Sequence, residues 1–173
     1  MNDFTLRPVT ALDAKFLAAL FRSVRQPMFE AMGLEQREVV ALCDMQLRAQ
    51  SMSYRAAYPD AEYLVIEAAN GLAVGRLTSA RTPEALVLVD IALHPEHRNR
   101  GLGAAVIRGM QQDAEAMGLP LTLTVEAVSP ARELYRRLGF EVVSEQDLRC
   151  RMRWQRPPAA RPRESPWSHT SAK

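Results

Sequence analysis

Arg98-Asn99-Arg100-Gly101-Leu102-Gly103 lies between an apolar run ending Ile91-Ala92-Leu93 and a helical pattern from Ala104 to Met117. This order predicts a strand, a turn and a helix whose first turn is built to hold a polyphosphate. The first N–H groups of any helix lack partners within it, and the helix dipole adds partial positive charge there, so an anion is stabilised. Glycine at 101 and 103 removes side chains that would hold a pyrophosphate away from the backbone, and Arg98 and Arg100 add cationic donors suited to phosphate oxygens. On the plainer reading, the two glycines only permit a tight strand-to-helix turn.

The two commonest nucleotide motifs do not fit. A dinucleotide fingerprint needs a third glycine where this chain has Val106, and no Gly-Lys-Ser/Thr follows the turn. The segment does match R/Q-x-x-G-x-G/A, the signature of the Gcn5-related N-acetyltransferases (GNAT). The preceding Asp90-Ile91-Ala92-Leu93-His94-Pro95-Glu96 resembles that family's fourth strand and the turn after it. About thirty residues on, Ser129 to Phe140 resembles its late helix, ending in the L-Y-x-x-L-G-F pattern as Leu134-Tyr135-Arg136-Arg137-Leu138-Gly139-Phe140. The resemblance covers roughly Phe4 to Trp154 and is strongest from Val87 to Phe140.

The residues give a compatible order of elements. Phe4–Leu6 alternates as a strand, and Ala11 to Arg25 carries Leu12, Phe16, Leu20 and Val24 at helical spacing, with Thr10 and Asp13 placed as a cap. A second helix fits Glu35 to Arg55. Strands at Tyr63–Ala68 and Ala73–Ser79 flank Asn70-Gly71, a hairpin signal. Leu86–Leu93 is apolar at nearly every position, which predicts a central strand covered on both faces. After the glycine-led helix come a strand at Leu121–Glu126, a helix from Pro130 to Leu138 closed by Gly139, and a hairpin of Glu141–Glu145 with Leu148–Trp154. The expected fold class is α/β, a mixed sheet with helices on both faces in the order β-α-α-β-β-β-α-β-α-β-β. The resemblance further implies splayed central strands.

At 173 residues the chain is long enough for one well-buried domain, expected over residues 1–155. Residues 156–173 are rich in proline and arginine and are expected to be a disordered tail. Seven basic residues from Leu148 onward stand against one acid, Glu164, so the formal net charge of +2 divides into +6 there and −4 in the first 147 residues. A basic end raises nucleic acid or acidic lipid as partners, but a solvated end is the preferred reading. No apolar run approaches the roughly 20 residues of a bilayer span. The start lacks a basic-then-apolar secretion signal, and Cys43 and Cys150 show no metal spacing, so a reduced, cytoplasmic setting is expected. His94 and His97 lie in the turn around Pro95 with no set of acidic or sulfur ligands about them, so they are read as surface residues in preference to a base or metal ligands, and no metal is expected.

The resemblance implies an N-acetyltransferase that uses acetyl-coenzyme A and transfers acetyl directly to a primary amine in a ternary complex. Ile91, Ala92 and Leu93 would pair with pantetheine through the main chain, one N–H near Ile91 polarising the thioester carbonyl. Asn99, Arg100, Gly101, Leu102, Gly103 and Ala104 would cradle the pyrophosphate, with Arg98 at the signature position. Ser129 stands where many members have asparagine and caps the helix. Tyr135 falls where the family places the tyrosine that protonates the coenzyme A sulfur, the other reading being an aromatic packing residue. Asp90 and Glu126 are the candidates for the base or amine-binding group, and either reads as a structural anchor too.

Gln46, Gln50 and Tyr54 share one polar helix face, read first as an ordinary solvated face and otherwise as the lining of an acceptor site, and Met28, Phe29, Met32 and Met45 offer a flexible apolar wall in the same region. No carboxylate cluster marks a polyamine or aminoglycoside site, and a small-molecule amine is the expected acceptor. Two alternatives stay open: a coenzyme A-binding regulatory module without catalysis, and an enzyme acting on a protein or aminoacyl-tRNA. A homodimer is compatible with the sequence.

Overall fold

The computed structural model describes residues 4–156; the tail expected over 156–173 lies outside them apart from Arg156, which ion-pairs with Glu115. Seven strands form one sheet in the order β1-β2-β3-β4-β5-β7-β6. They are β1 (Phe4–Pro8), β2 (Glu62–Ala68), β3 (Ala73–Arg81), β4 (Leu86–Leu93), β5 (Leu121–Glu126), β6 (Glu141–Gln146) and β7 (Arg149–Trp154). Four helices join them: α1 (Ala14–Ala31), α2 (Gln36–Ala57), α3 (Leu102–Ala116) and α4 (Ala131–Arg137). The expected mixed sheet and the order of its elements are present. Only the β4–β5 pairing is parallel.

Alternation along the central strands sorts the two faces. Leu77 of β3, Leu86 and Leu88 of β4 and Leu121 and Leu123 of β5 join Val106, Ile107 and Met110 of α3 in the main core. Each such side chain contributes about 1.5–3 kcal/mol when fully buried. On the other face α1 packs against β3 and β4, and α2 packs against α1. Phe21 and Phe29 of α1 and Val39 and Cys43 of α2 form a second, smaller core.

The first helix departs from its expected end at Arg25. Residues Ala11–Asp13 form a 3-10 turn, and α1 then runs through Pro27 to Ala31. Pro27 removes one i→i−4 hydrogen bond, but the next turn carries Phe29 into the second core, only 3% exposed, and that burial outweighs the local break. The expected cap holds: the Asp13 carboxylate accepts from the Thr10 N–H at 2.7 Å and the Thr10 hydroxyl at 2.9 Å. Arg7 donates to both Asp13 oxygens at 2.8 Å, which holds that carboxyl well below its usual range and ties β1 to the turn.

Between β2 and β3 the hairpin forms, but only Gly71 has positive φ (+78°), and the Asn70 side chain accepts the Leu72 N–H at 3.1 Å. A two-residue hairpin turn of the Asn-Gly type would need positive φ at both residues. The α4 C-terminus follows its sequence signal. Gly139 (φ +83°) donates to Arg136 O and Phe140 to Tyr135 O, at 2.9 and 3.0 Å, the paired bonds that close a helix on a left-handed glycine.

Candidate active site

One extra residue in β4 creates the site. Ser79 faces Leu88 and Thr78 faces Asp90, which leaves Val89 bulged out of the β3–β4 ladder. Strict alternation would send Asp90 into the core beside Leu86 and Leu88. The bulge resets the alternation, so Asp90 shares the α1–α2 face with Arg76 and Thr78 while Ile91 and Leu93 return to the core. Bulges also bend a strand, and here β4 and β5 pair only from Leu86–Leu88 to Leu121–Leu123. Beyond Leu88 they part. The β4 edge from Asp90 to Leu93 is left without a neighbour on its β5 side. Gly75 is required opposite this edge, since a Cβ there would come within 2.5 Å of Ala92 O and 2.6 Å of Leu93 Cδ2.

The turn after β4 delivers the second part. Asn99 (φ +58°) and Gly101 (φ +82°) both take left-handed conformations, so the chain reverses sharply into α3. Ala105 N–H is the first in the helix to find an acceptor, Gly101 O at 2.9 Å. Those of Leu102, Gly103 and Ala104 have none among the described residues. Two glycines here have different causes. Gly101 is set by its φ. Gly103 has ordinary helical geometry, and a Cβ on it would meet Leu93 Cδ1 at an unremarkable 3.5 Å, so packing within the chain does not require glycine. The space left over it adjoins the three free N–H groups. Arg98 turns back to brace the loop, donating from Nε to Leu93 O at 3.0 Å, and Asn99 and Arg100 are exposed.

Tyr135 approaches from α4. It is 7% exposed, with its ring edge-on to Phe140 at 5.7 Å between centroids. Burial pushes its phenol up to about 12, and the nearby Asp90 charge adds to the shift. Packing and proximity to the parted strands are both satisfied by one residue. Ser129 precedes Pro130, the N-cap of α4, which has no side-chain cap bond; the Ser129 hydroxyl instead accepts the Ala131 N–H at 3.3 Å from just outside the helix. Glu126 stands at the end of β5, exposed and in register with Arg149 of β7.

Asp90 is not a free carboxylate. Arg76 Nε donates to its Oδ2 at 2.8 Å, and the Tyr54 hydroxyl lies 3.4 Å from Oδ1. Arg76 also donates from Nη2 to Gln50 Oε1 at 2.6 Å. The Arg76 and Asp90 side chains are 14% and 16% exposed, and burial raises the Tyr54 phenol to about 12. Gln50 and Tyr54 from the polar face of α2 thus belong to the site. Arg76 escaped the sequence reading because a single arginine in an alternating strand looks like a solvent-facing position. His94 and His97 sit in the turn after β4, and among the described residues no group of three or more His, Cys, Asp or Glu could hold a metal. No described helix is long and apolar enough to cross a membrane.

Residues 59–142 match the family model of the acetyltransferase (GNAT) domain. That span is a GNAT acetyltransferase domain. The parted strands, the α3 N-terminus and Tyr135 all fall inside the matched span, whereas Phe21, Gln50 and Tyr54 fall outside it. Among curated protein sequences none matches this one. Solved structures share the GNAT fold at low identity. The PaiA N-acetyltransferase of Thermoplasma acidophilum, solved in complex with coenzyme A, is 15% identical with a TM-score of 0.65, over 87% of this chain and 97% of that one. An acetyltransferase from Thermus thermophilus is 21% identical with a TM-score of 0.62, over 89% and 99%. A GNAT-family acetyltransferase from Listeria monocytogenes is 14% identical with a TM-score of 0.61, over 87% and 94%.

Proposed function

We propose that the protein is an N-acetyltransferase that moves acetyl from acetyl-coenzyme A to a primary amine by direct transfer in a ternary complex. The observation that carries this reading is the meeting of an unpaired β4 edge with an α3 N-terminus offering three free N–H groups and a glycine that packing does not require. Bound there, acetyl-coenzyme A supplies an acetyl group activated as a thioester. Backbone groups of Ile91, Ala92 and Leu93 pair with pantetheine in place of the missing strand. An N–H near Ile91 polarises the thioester carbonyl where negative charge develops. The N–H groups from Asn99 to Ala104 hold the pyrophosphate, with Arg98 and Arg100 at its rim. The Ser129 hydroxyl accepts from the Ala131 N–H and keeps its proton for pantetheine.

Asp90 orients the amine through Oδ1, because its Oδ2 is occupied by Arg76. The proton shed by the nitrogen leaves through water toward the exposed Glu126 and solvent. As the nitrogen–carbon bond forms and the carbon–sulfur bond breaks, Tyr135 gives the sulfur a proton and regains one from solvent. Neutral amine and thioester therefore yield amide and thiol with no net proton, and one more is released when the acceptor arrives as an ammonium. A phenol near 12 is a weaker acid than a thiol near 8.5 in water, by about 5 kcal/mol. Tyr135 works only in direct contact with a sulfur desolvated in the same pocket, where burial raises the affinity of the thiolate for a proton as well.

Thiol release from acetyl-coenzyme A, measured against a panel of primary amines, tests this reading. Amine-dependent release is expected, and Tyr135→Phe should lower kcat by about 100-fold with coenzyme A affinity nearly unchanged. Coenzyme A binding without release for any amine would leave a regulatory module instead.

A further inference from the structure

The site contains a cation that the transfer chemistry does not use. The buried Phe21 ring is in reach of two guanidiniums, with Arg25 Cζ at 5.8 Å and Arg76 Cζ at 5.7 Å from its centroid. Contact with an aromatic ring fixes the plane of a guanidinium and leaves its donors pointing outward. The two arginines differ in what they hold. Arg76 is committed to Asp90 and Gln50. Arg25 is half-buried and has no carboxylate within ion-pair distance among the described residues.

Both arginines line a cavity of about 90 Å³, together with Phe21 and the β4 residues Asp90, Ile91 and Ala92. This is a space of small-molecule size that takes an amine and a carboxylate joined by a carbon or two. The cavity adjoins a larger cleft of about 630 Å³, and Gln50 and Arg76 line both. The cleft adds Arg48 and Arg55 to its walls and, among the described residues, no acid. An acceptor with a second ammonium would meet several guanidiniums and one carboxylate already paired. An acceptor with an anionic group would meet the reverse. Leu17, Leu47 and Leu64 give the cleft apolar walls.

We infer that the acceptor is a primary amine carrying a carboxylate within one or two carbons, the head group of a free amino acid, with the carboxylate held by Arg25 and the nitrogen beside Asp90 Oδ1. This rests on the N-acetyltransferase reading above and narrows its substrate class. The larger cleft takes the side chain. Protein N-termini and aminoacyl-tRNA are excluded as acceptors, since their carboxyl is masked as an amide or ester and presents no charge to Arg25.

The test compares free amino acids with their amides and with the corresponding decarboxylated amines, spermidine serving as a polycationic control. Thiol release by the full chain and calorimetric binding to the coenzyme A-saturated protein are measured side by side. The acid form should be preferred at least tenfold in kcat/KM over its amide and its decarboxylated amine. Arg25→Gln should raise KM for the acid at least tenfold, with a much smaller change in kcat, and abolish the preference. Arg25→Lys should restore part of it. Preference for the amide, the decarboxylated amine or spermidine overturns the inference. If no amine supports release but acids bind and Arg25→Gln removes that binding, the carboxylate site stands and the transfer reading falls. If no acid binds, the carboxylate site itself is wrong.

Discussion

On one side of the parted strands, residues 90–104 offer mainly backbone: the open edge of β4 and the free N–H groups of Leu102, Gly103 and Ala104. On the other side the wall consists of side chains drawn from Phe21, Arg25, Gln50, Tyr54, Arg76 and Asp90, on four separate elements. A backbone cradle constrains sequence through glycines and spacing, because it works only where side chains are missing. A side-chain wall constrains nothing at fixed spacing, because α1, α2 and β3 can each supply a donor from several positions. The family match over residues 59–142 takes in the whole of the backbone half but only Arg76 and Asp90 of the side-chain wall.

The comparison breaks if the halves cannot be disabled separately. The largest expected effect is from Gly103→Glu, which places a carboxylate over the free N–H groups. Coenzyme A affinity should fall at least 100-fold by calorimetry, while the thermal midpoint stays near that of the parent, since a Cβ fits there at 3.5 Å from Leu93. Arg76→Ala attacks the other half. It leaves Asp90 mostly buried without its partner, at a cost of about 3 kcal/mol in urea unfolding, and should abolish turnover while sparing coenzyme A affinity. Loss of cofactor binding in that variant would show that the halves are one unit.

Gly75→Ala separates a glycine needed for packing from one needed for a ligand. Its Cβ would collide with Ala92 O at 2.5 Å, and about 2 kcal/mol of destabilisation is expected. Gly103→Ala should cost less in stability and more in coenzyme A affinity. If both alanine variants lose stability alike, the distinction fails.

The smallest effect is on pH dependence. The Tyr135 phenol sits at about 12 in the folded chain against about 10 when unfolded. The folded state holds its proton longer, so this contribution to stability is complete below pH 10 and is lost as pH rises toward 12. Tyr135→Phe should flatten that decline in alkaline unfolding curves. Tyr54, also near 12, should leave part of it in place.

Much of the fold was legible because local signals agreed with one another. β4 and β5 begin and end at their expected residues, and Gly101, Pro130 and Gly139 occupy the helix ends they signal. The end of α1 was not legible, since Pro27 is a local stop signal overridden by the distant burial of Phe29 against Val39 and Cys43. The bulge at Val89 was hidden too, because an apolar strand has no alternation for an extra residue to interrupt visibly. Its consequence, Asp90 facing Arg76 rather than the core, decides what that carboxylate can do. The pairing of Arg76 with Asp90 and Gln50 joins positions up to 40 residues apart, which no local pattern records.

Calorimetric titration of the full chain with acetyl-coenzyme A tests the central claim most directly, that an open β4 edge and the α3 N-terminus together form a cofactor site. Saturable binding of one molecule per chain, abolished by Gly103→Glu in a protein that still melts cooperatively, is the predicted result. A folded parent that takes up no acetyl-coenzyme A, or a Gly103→Glu variant that binds it as tightly as the parent, would contradict the account.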